Sequence, residues 1–182
     1  YIHSDALDID YTTFNKDYKI IANIPYQISA KLLQLLVQHR LVFQSATLLV
    51  QKEFAKKCIA SPGTKDYTAL SVFLQFHFDI SLSFNVSRNC FYPVPEVDSS
   101  VIYIEPKKSL PYDVTEDFFT IVKSAFWGRR KTLSKCLKGN PYKQYTADQL
   151  LTVPFLQENP MIRGEACSID HFYQVYASLL KL

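Results

Sequence analysis

Four consecutive residues, Asn23, Ile24, Pro25 and Tyr26, have the types and the order that suit one chemical task. The Asn23 side-chain oxygen and the Ile24 carbonyl can each accept a hydrogen bond, and Pro25 restricts its own backbone and that of Ile24. The Tyr26 ring offers a face for a planar base, a contact worth about 1–3 kcal/mol per base. These groups predict a turn that holds a base and directs its exocyclic amine at an electrophile.

The segments on either side of this turn predict where it lies in the fold. The apolar run 18–22 predicts a buried strand, and residues 27–36 predict an amphipathic helix with Ser29 as its N-cap. In open α/β sheets, ligands bind at the carboxyl ends of strands, which is where this turn would lie. The four residues alone fit equally well an ordinary strand-to-helix turn in which Tyr26 fills the core.

The alternation of strand-like and helix-like runs continues along the chain. It predicts strands at 19–23, 46–50 and 80–86, and helices at 29–39, 53–60 and 67–76. The strand after 91–95 is expected to pair antiparallel with 80–86. Residues 105–111 have the composition of a linker, and a helical pattern follows them as far as a last helix at 169–182. This order predicts part of a doubly wound α/β sheet followed by helices.

Further segments carry a resemblance to a known family. They are Phe91–Ser100 (FYPVPEVDSS), Ala125–Leu133 (AFWGRRKTL), parts of 51–72, and Arg163–Ser168 (RGEACS). Together with Asn23–Tyr26, and in this order, they resemble the rRNA adenine N6-dimethyltransferase family. The likeness extends from about Ile2 to the C-terminus.

The resemblance implies a fold, a division into domains and an activity. The fold would be α/β, the C-terminal half of a Rossmann-like methyltransferase sheet followed by a small all-helical domain. Residues 1–107 would be a partial S-adenosylmethionine-dependent methyltransferase domain, and residues 111–182 a helical C-terminal domain. The activity would be N6-dimethylation of adenines in small-subunit rRNA during ribosome biogenesis. The catalytic residues would be Asn23, Ile24, Pro25, Tyr26 and Phe91, with Phe91 stacking on the adenine opposite Tyr26.

The resemblance also implies a cofactor site, which this sequence carries only in part. Asp5, Ala6 and Asn23 would contact S-adenosylmethionine, which the family binds on a glycine-rich loop. The four glycines are Gly63, Gly128, Gly139 and Gly164, and none precedes Asn23. We therefore expect a C-terminal portion of the enzyme, truncated and inactive by itself, with an incomplete cofactor site. Without the resemblance, Asp5 would be assigned to a solvated acidic loop.

Positive charge is concentrated in one segment of the sequence. Residues 118–147 hold seven of the 20 basic residues and none of the 17 acidic ones, a pattern typical of phosphate contact. The basic run at 129–131 also resembles a helix start, which favours anions. The predicted RNA-binding residues are Arg129, Arg130, Lys131, Lys135 and Lys138. Trp127 and Gly128 depart from the family pattern, and Trp127 either stacks on a base or a guanidinium or fills space between domains.

Composition excludes several classes of protein. No apolar run approaches the ~20 residues of a membrane span. The four cysteines and four histidines are widely spaced, which predicts no metal site and free thiols, buried or half-buried, in a reducing compartment. We expect a cytoplasmic monomer whose partner is small-subunit rRNA or the small ribosomal subunit, with no membrane partner.

Other functions remain open at the level of sequence. The chain, or its parent, can be a non-catalytic ribosome-assembly or RNA-binding module. Two relatives of the same family offer further alternatives, a mitochondrial transcription factor and a macrolide-resistance methyltransferase that acts on the large subunit. The Asn-Ile-Pro-Tyr turn by itself also suits a DNA adenine methyltransferase, but the Phe91–Ser100 segment and the basic segment favour rRNA.

Overall fold

The computed structural model describes residues 2–14 and 17–181 and divides into two compact units. The first unit comprises Tyr1–Ile59 and His77–Leu110, and the second comprises Ala60–Phe76 and Pro111–Leu182. The predicted domain division at residues 107–111 remains a prediction. The segment Ala60–Phe76 precedes that division in the chain and is grouped with the helices that follow it.

The first unit contains a four-stranded sheet. Its strands are β1 (Tyr18–Asn23), β2 (Phe43–Gln51), β3 (Phe78–Val86) and β4 (Ser99–Pro106), in the order β1-β2-β4-β3. Helix α1 (Ser29–Gln38) links the parallel strands β1 and β2, and α2 (Lys52–Ile59) follows β2. Strand β4 is antiparallel to both β2 and β3. The predicted α/β class and the predicted antiparallel pairing of β3 with β4 are confirmed.

The register of the sheet brings four strand ends to one edge. Asn23 lies beside Leu49 near the end of β2, and Ser99 at the start of β4 lies beside both Gln51 and Val86. Strands β1, β2 and β3 therefore run in one direction, and the segments that follow them emerge at a common edge. The turn after β1 and the loop between β3 and β4 are consequently neighbours.

The second unit is helical. Its helices are α3 (Ala69–His77), α4 (Glu116–Ala125), α5 (Leu133–Lys138), α6 (Ala147–Leu151), α7 (Pro154–Glu158) and α8 (Ile169–Leu179). Aromatic rings fill its core, where the Phe118 ring lies 5.2 Å from that of Phe76 and 5.7 Å from that of Tyr176. The buried Tyr67 hydroxyl donates a hydrogen bond to the Cys167 carbonyl at 3.0 Å, and burial raises the Tyr67 pKa well above its ordinary value.

Helix α1 begins differently from the sequence-based expectation. The prediction that Ser29 is its N-cap is wrong, because the capping position is Ile28, which makes no side-chain capping bond. Ser29 is the first helical residue and is buried, and its Oγ has no hydrogen-bond partner among the described residues. The 3₁₀ turn Tyr26–Ile28 precedes the helix and shifts its start.

Replacing Ser29 by alanine is expected to stabilise the protein by about 1 kcal/mol. A buried hydroxyl without a partner costs about 1–3 kcal/mol, and alanine has the highest helix propensity. The urea midpoint should rise. As a matched control, Ser168→Ala should lower it, because Ser168 Oγ accepts the His171 N–H at 3.2 Å as a true N-cap. A lower midpoint for Ser29→Ala would show that its hydroxyl is satisfied.

Two classes of feature are absent from residues 2–14 and 17–181. None of the helices there has the length and apolar character to cross a membrane. No group of three or more histidine, cysteine, aspartate or glutamate side chains there is arranged to hold a metal ion.

Candidate active site

A cleft of about 350 Å³ opens at the edge where the strand ends meet. Two segments line it that are far apart in the chain. They are Asn23, Ile24, Pro25 and Tyr26 after β1, and Phe91, Tyr92, Pro93 and Pro95 between β3 and β4. The structure thus brings all five predicted catalytic residues to one place. Their catalytic roles remain predictions.

The turn after β1 presents an available amide beside a constrained backbone. Asn23 is exposed, and its side chain makes no hydrogen bond to any described residue. Ile24 is buried at 5% exposure, which anchors the turn in the core. Pro25 has φ −57° and ψ 130°, and its carbonyl accepts the Ile28 N–H at 3.1 Å. The Asn23 amide can therefore serve a ligand without breaking an internal bond.

The Tyr26 ring is held by a hydrogen bond from across the sheet edge. Its hydroxyl lies 2.7 Å from Ser99 Oγ, and Ser99 is buried at the start of β4. This bond fixes the direction of the ring relative to the loop that precedes β4. Sequence reasoning placed Tyr26 in the site but missed Ser99, because the pairing of these residues depends on the sheet.

Phe91 is positioned by a short turn and by one carboxylate. A 3₁₀ turn, Arg88–Cys90, follows β3, and the Phe91 N–H donates to the Arg88 carbonyl at 3.2 Å. The Asp98 carboxylate accepts the Arg88 N–H at 3.1 Å, and the Asp98 carbonyl accepts the Lys52 N–H at 3.0 Å. Asp98 therefore joins the two ends of the loop that carries Phe91.

The charge state of Asp98 supports this positioning role. The Arg88 N–H and then the Lys52 ammonium, 3.6 Å away, hold the Asp98 pKa below its ordinary value. The carboxylate is therefore ionised at neutral pH and remains a strong acceptor. Sequence reasoning missed this role, although Asp98 belongs to the Phe91–Ser100 segment that carries the resemblance.

A second cleft, of about 440 Å³, is larger but less suited to a neutral base. Its lining residues are Gln51, Lys52, Glu53, Lys56, Arg88, Glu96, Val97 and Asp98. Its charges are largely paired with one another, as in Lys52–Asp98 at 3.6 Å and Lys56–Glu53 at 2.7 Å. We therefore take the smaller cleft beside Asn23 as the candidate site.

Two of the three predicted cofactor residues lie apart from this cleft. Asp5 is exposed, and its carboxylate accepts the Leu7 N–H at 2.9 Å. The Ala6 carbonyl accepts the Tyr11 hydroxyl at 3.0 Å. Neither residue is among those lining the cleft. None of the four glycines lies between a strand and the next helix, so the described residues fit S-adenosylmethionine only in part.

The predicted RNA-binding residues differ in their surroundings. Arg129 donates to the Glu165 carboxylate at 3.2 Å and to the Lys65 carbonyl at 2.7 Å. The remaining four predicted residues are exposed and make no ion pair with the part of the chain that the structure describes: Arg130, Lys131, Lys135 and Lys138. The predicted helix start at residues 129–131 is wrong. That run forms a turn, and α5 begins at Leu133.

The cysteines also differ from one another. Cys58, Cys136 and Cys167 are buried, whereas Cys90 is exposed, contrary to the expectation that all four are at least half-buried. Burial raises the pKa of Cys58 and of Cys167 to about 12, so these thiols carry almost no thiolate at neutral pH.

We expect one of the four thiols to react quickly with a maleimide or an aromatic disulfide in the folded protein. Cys90 is the exposed thiol, and the other three should react only on unfolding. Counting modified thiols with time by mass spectrometry tests this expectation. The Cys90→Ser variant should lose the fast phase, and a fast phase that persists in this variant would contradict the burial of the others.

Comparison with known proteins establishes the family. A family model described as "Ribosomal RNA adenine dimethylase" matches residues 1–180. The chain belongs to the ribosomal RNA adenine dimethylase family. The resemblance predicted from the Asn23–Tyr26 and Phe91–Ser100 segments is therefore confirmed.

Curated relatives carry the name "Ribosomal RNA small subunit methyltransferase A". The protein of Protochlamydia amoebophila is 38% identical over 88% of this chain and 56% of its own length. That of Geobacter metallireducens is 38% identical over 100% of this chain and 68% of its own length. The chain thus spans little more than half to about two thirds of the length of these relatives.

Solved structures confirm the methyltransferase-like fold. A dimethyladenosine transferase from Plasmodium falciparum superposes with a TM-score of 0.81 and 26% identity, over 99% of this chain and 72% of that one. The 23S rRNA methyltransferase ErmE superposes with a TM-score of 0.62 and 21% identity, over 93% of this chain and 69% of that one. The second likeness concerns the fold alone.

Proposed function

We propose that the protein containing this chain transfers methyl groups from S-adenosylmethionine to adenine amines of small-subunit rRNA, with two methyls per base. The observation that carries the proposal is the cleft in which Asn23–Tyr26 and Phe91 meet. Its volume, about 350 Å³, falls in the range of small-ligand pockets, about 300–1000 Å³. The family and the names of the relatives support the same reaction.

The turn after β1 would activate the amine. The lone pair of an adenine amine is delocalised into the ring, which makes the amine a poor nucleophile. Acceptors at Asn23 Oδ1 and at the Ile24 carbonyl would draw the two N–H groups toward tetrahedral geometry and free the lone pair. The buried Ile24 side chain and the constrained Pro25 keep the Ile24 carbonyl in place and fix the backbone that follows Asn23, so that positioning supplies most of the rate.

The two aromatic rings would hold the base outside its stack. An enzyme that modifies a base must present it in this way. Tyr26 is oriented by Ser99, and Phe91 by the Arg88–Cys90 turn and Asp98. S-adenosylmethionine, when bound, supplies an electrophilic sulfonium methyl. Attack on that methyl needs no general base in this chain, because the amine can lose its proton to solvent after transfer.

Incubation with labelled S-adenosylmethionine and small subunits that lack adenine dimethylation tests the proposal directly. The chain and a polypeptide extended to the length of its relatives would be compared, followed by nucleoside analysis. Dimethyladenosine from either polypeptide supports the function. No methylated adenine from either would overturn the catalytic proposal and leave RNA binding as the function.

A non-catalytic RNA-binding module is the second candidate, and one observation favours it. Four exposed cations, Arg130, Lys131, Lys135 and Lys138, lack ion pairs among the described residues. In this candidate the cations neutralise RNA phosphates, and the cleft at Asn23 has no chemical role.

Charge reversal separates phosphate binding from catalysis. Arg130→Glu with Lys131→Glu should weaken small-subunit binding at moderate salt by at least about tenfold and flatten its salt dependence. Arg129 is left intact because it is paired with Glu165. Lys108→Glu with Lys181→Glu provides a control of equal charge on exposed lysines. Unchanged cosedimentation of the first variant would argue against the RNA-binding module and would leave the catalytic proposal, which rests on the cleft at Asn23, to the transfer assay.

A further inference from the structure

The helical unit carries an exposed aromatic pair that the proposed reaction does not use. Trp127, the only tryptophan in the chain, is 54% exposed, and Tyr142 is 53% exposed. Their ring centroids lie 6.1 Å apart with an interplanar angle of 89°. Two adjacent large aromatic side chains, each more than half exposed to solvent, indicate an interaction surface.

The backbones beneath these two rings are tied to one buried polar network. Asn140 Oδ1 accepts the Tyr142 N–H at 2.8 Å and the Ser124 hydroxyl at 2.9 Å. The Ser124 carbonyl accepts the Trp127 N–H at 3.2 Å. Asn140 is 3% exposed and Ser124 is 0% exposed. Both ring-bearing segments are thus ordered before a ligand arrives, which lowers the entropy cost of binding.

Unpaired cations belong to the same segments. Lys123 lies one helical turn before Trp127, and Arg130 and Lys131 follow it directly. These three are exposed and have no ion pair among the residues that the structure describes. Gly128 leaves room for Lys131, whose Cδ lies 2.9 Å from the place where a Cβ would be.

One carboxylate of the helical unit is already paired with a lysine beside the aromatic pair. Asp117 pairs with Lys143, the residue after Tyr142, at 3.0 Å. Exposed aromatic rings and exposed cations therefore belong to the same short segment, 123–131, together with Tyr142. Single-stranded nucleic acids offer the complement of such a surface, since phosphates match the cations and bases stack on the rings.

We infer that Trp127 and Tyr142 form a stacking platform for an unpaired base of the RNA substrate. The inference rests on the proposed RNA-directed function, and it adds a base contact outside the cleft at Asn23. It also decides between the alternatives for Trp127, in favour of a base contact. A folded protein partner or a second copy of this chain is the competing occupant.

Fluorescence of Trp127 tests the platform directly, because no other tryptophan contributes. The 182-residue chain would be titrated with a single-stranded RNA decamer, with its duplex, and with an abasic decamer of equal charge. The single strand should quench the emission, whereas the duplex and the abasic strand should not. Concentration-dependent quenching without RNA would instead identify a contact between copies and overturn the inference.

Variants provide a second measurement with labelled RNA. Trp127→Ala and Tyr142→Ala should each weaken binding of the single strand by about 5- to 150-fold, the range for loss of one stacked base. Trp127→Phe and Tyr142→Phe should restore most of it. Leu151→Ala, which truncates an apolar side chain that is 64% exposed, is the matched control and should bind normally.

Salt separates failure of the platform from failure of the proposed function. The contribution of the cations to RNA affinity falls steeply between about 50 and 200 mM salt. Stacking on Trp127 does not depend on these charges, so the ratio of wild-type affinity to Trp127→Ala affinity should stay constant over that range. Salt-sensitive binding with normal affinity of Trp127→Ala would overturn the platform alone. No binding of any RNA by the wild type would overturn both.

Discussion

Replacing Asn23 by alanine is expected to lower methyl transfer by at least about a hundredfold, the effect of removing one preorganised polar group from an active site. The side chain is exposed and has no internal partner among the described residues, so its loss should not unfold the protein. It should remove one of the two acceptors that act on the adenine amine. Single-turnover transfer to small subunits, in a polypeptide with measurable activity, provides the measurement.

Two further variants make the Asn23 prediction specific. Asn23→Asp retains an acceptor oxygen and should keep more activity than Asn23→Ala. Asn89→Ala removes an exposed asparagine side chain from the Arg88–Cys90 turn beside Phe91 and should transfer normally. Binding to the small subunit should be nearly unchanged in all three. Undiminished turnover of Asn23→Ala would refute the two-acceptor mechanism.

Replacing Gly164 by alanine is expected to destabilise the helical unit by about 3 kcal/mol, at the upper end of the usual cost of overpacking. A Cβ at this position would lie 2.5 Å from the Ala125 carbonyl oxygen and 2.9 Å from Ala125 Cβ. Since the first of these atoms is backbone, relief requires the turn to move away from α4. The melting temperature should fall by about 6–12 °C.

The other glycines of the same unit provide graded controls for this variant. At Gly139 the nearest atom to an added Cβ is 3.7 Å away, which is ordinary contact, and Gly139→Ala should melt like the wild type. Gly63 has φ +84° with open space around it, so Gly63→Ala should show a small loss from backbone strain. A wild-type melting curve for Gly164→Ala would contradict the close approach to α4.

Local patterns were sufficient to predict much of the sheet and its helices. Strands β1 and β3 and helix α1 each lie within a few residues of their predicted bounds. The predicted burial of the two strands is wrong, because β1 has no buried residue and the apolar side chains of Leu82 and Phe84 in β3 are exposed. Ser29 shows the limit of such patterns. Serine is a common N-cap, but here the 3₁₀ turn Tyr26–Ile28 shifts the helix start and leaves its hydroxyl buried.

The charged and aromatic residues of the helical unit show the same limit. Sequence composition indicated a basic segment, yet it could not distinguish Arg129 from Arg130. Arg129 forms an ion pair with Glu165 and donates a hydrogen bond to the Lys65 carbonyl, whereas Arg130 has no ion pair among the described residues. Composition also could not predict that the Tyr142 ring lies beside the Trp127 ring. Which cations remain free for a polyanion depends on partners that are distant in sequence.

By itself, the sequence determined the residue types of the candidate site, the strand and helix around Asn23–Tyr26, and the family. The resemblance also placed Phe91 opposite Tyr26, and the tertiary structure brings both residues to one cleft. Only the tertiary structure decided that Ser99 and Asp98 hold the two rings in place. The reason is physical. Backbone periodicity depends on neighbours a few residues away, whereas a cleft depends on the register and order of strands that meet at one edge of a sheet.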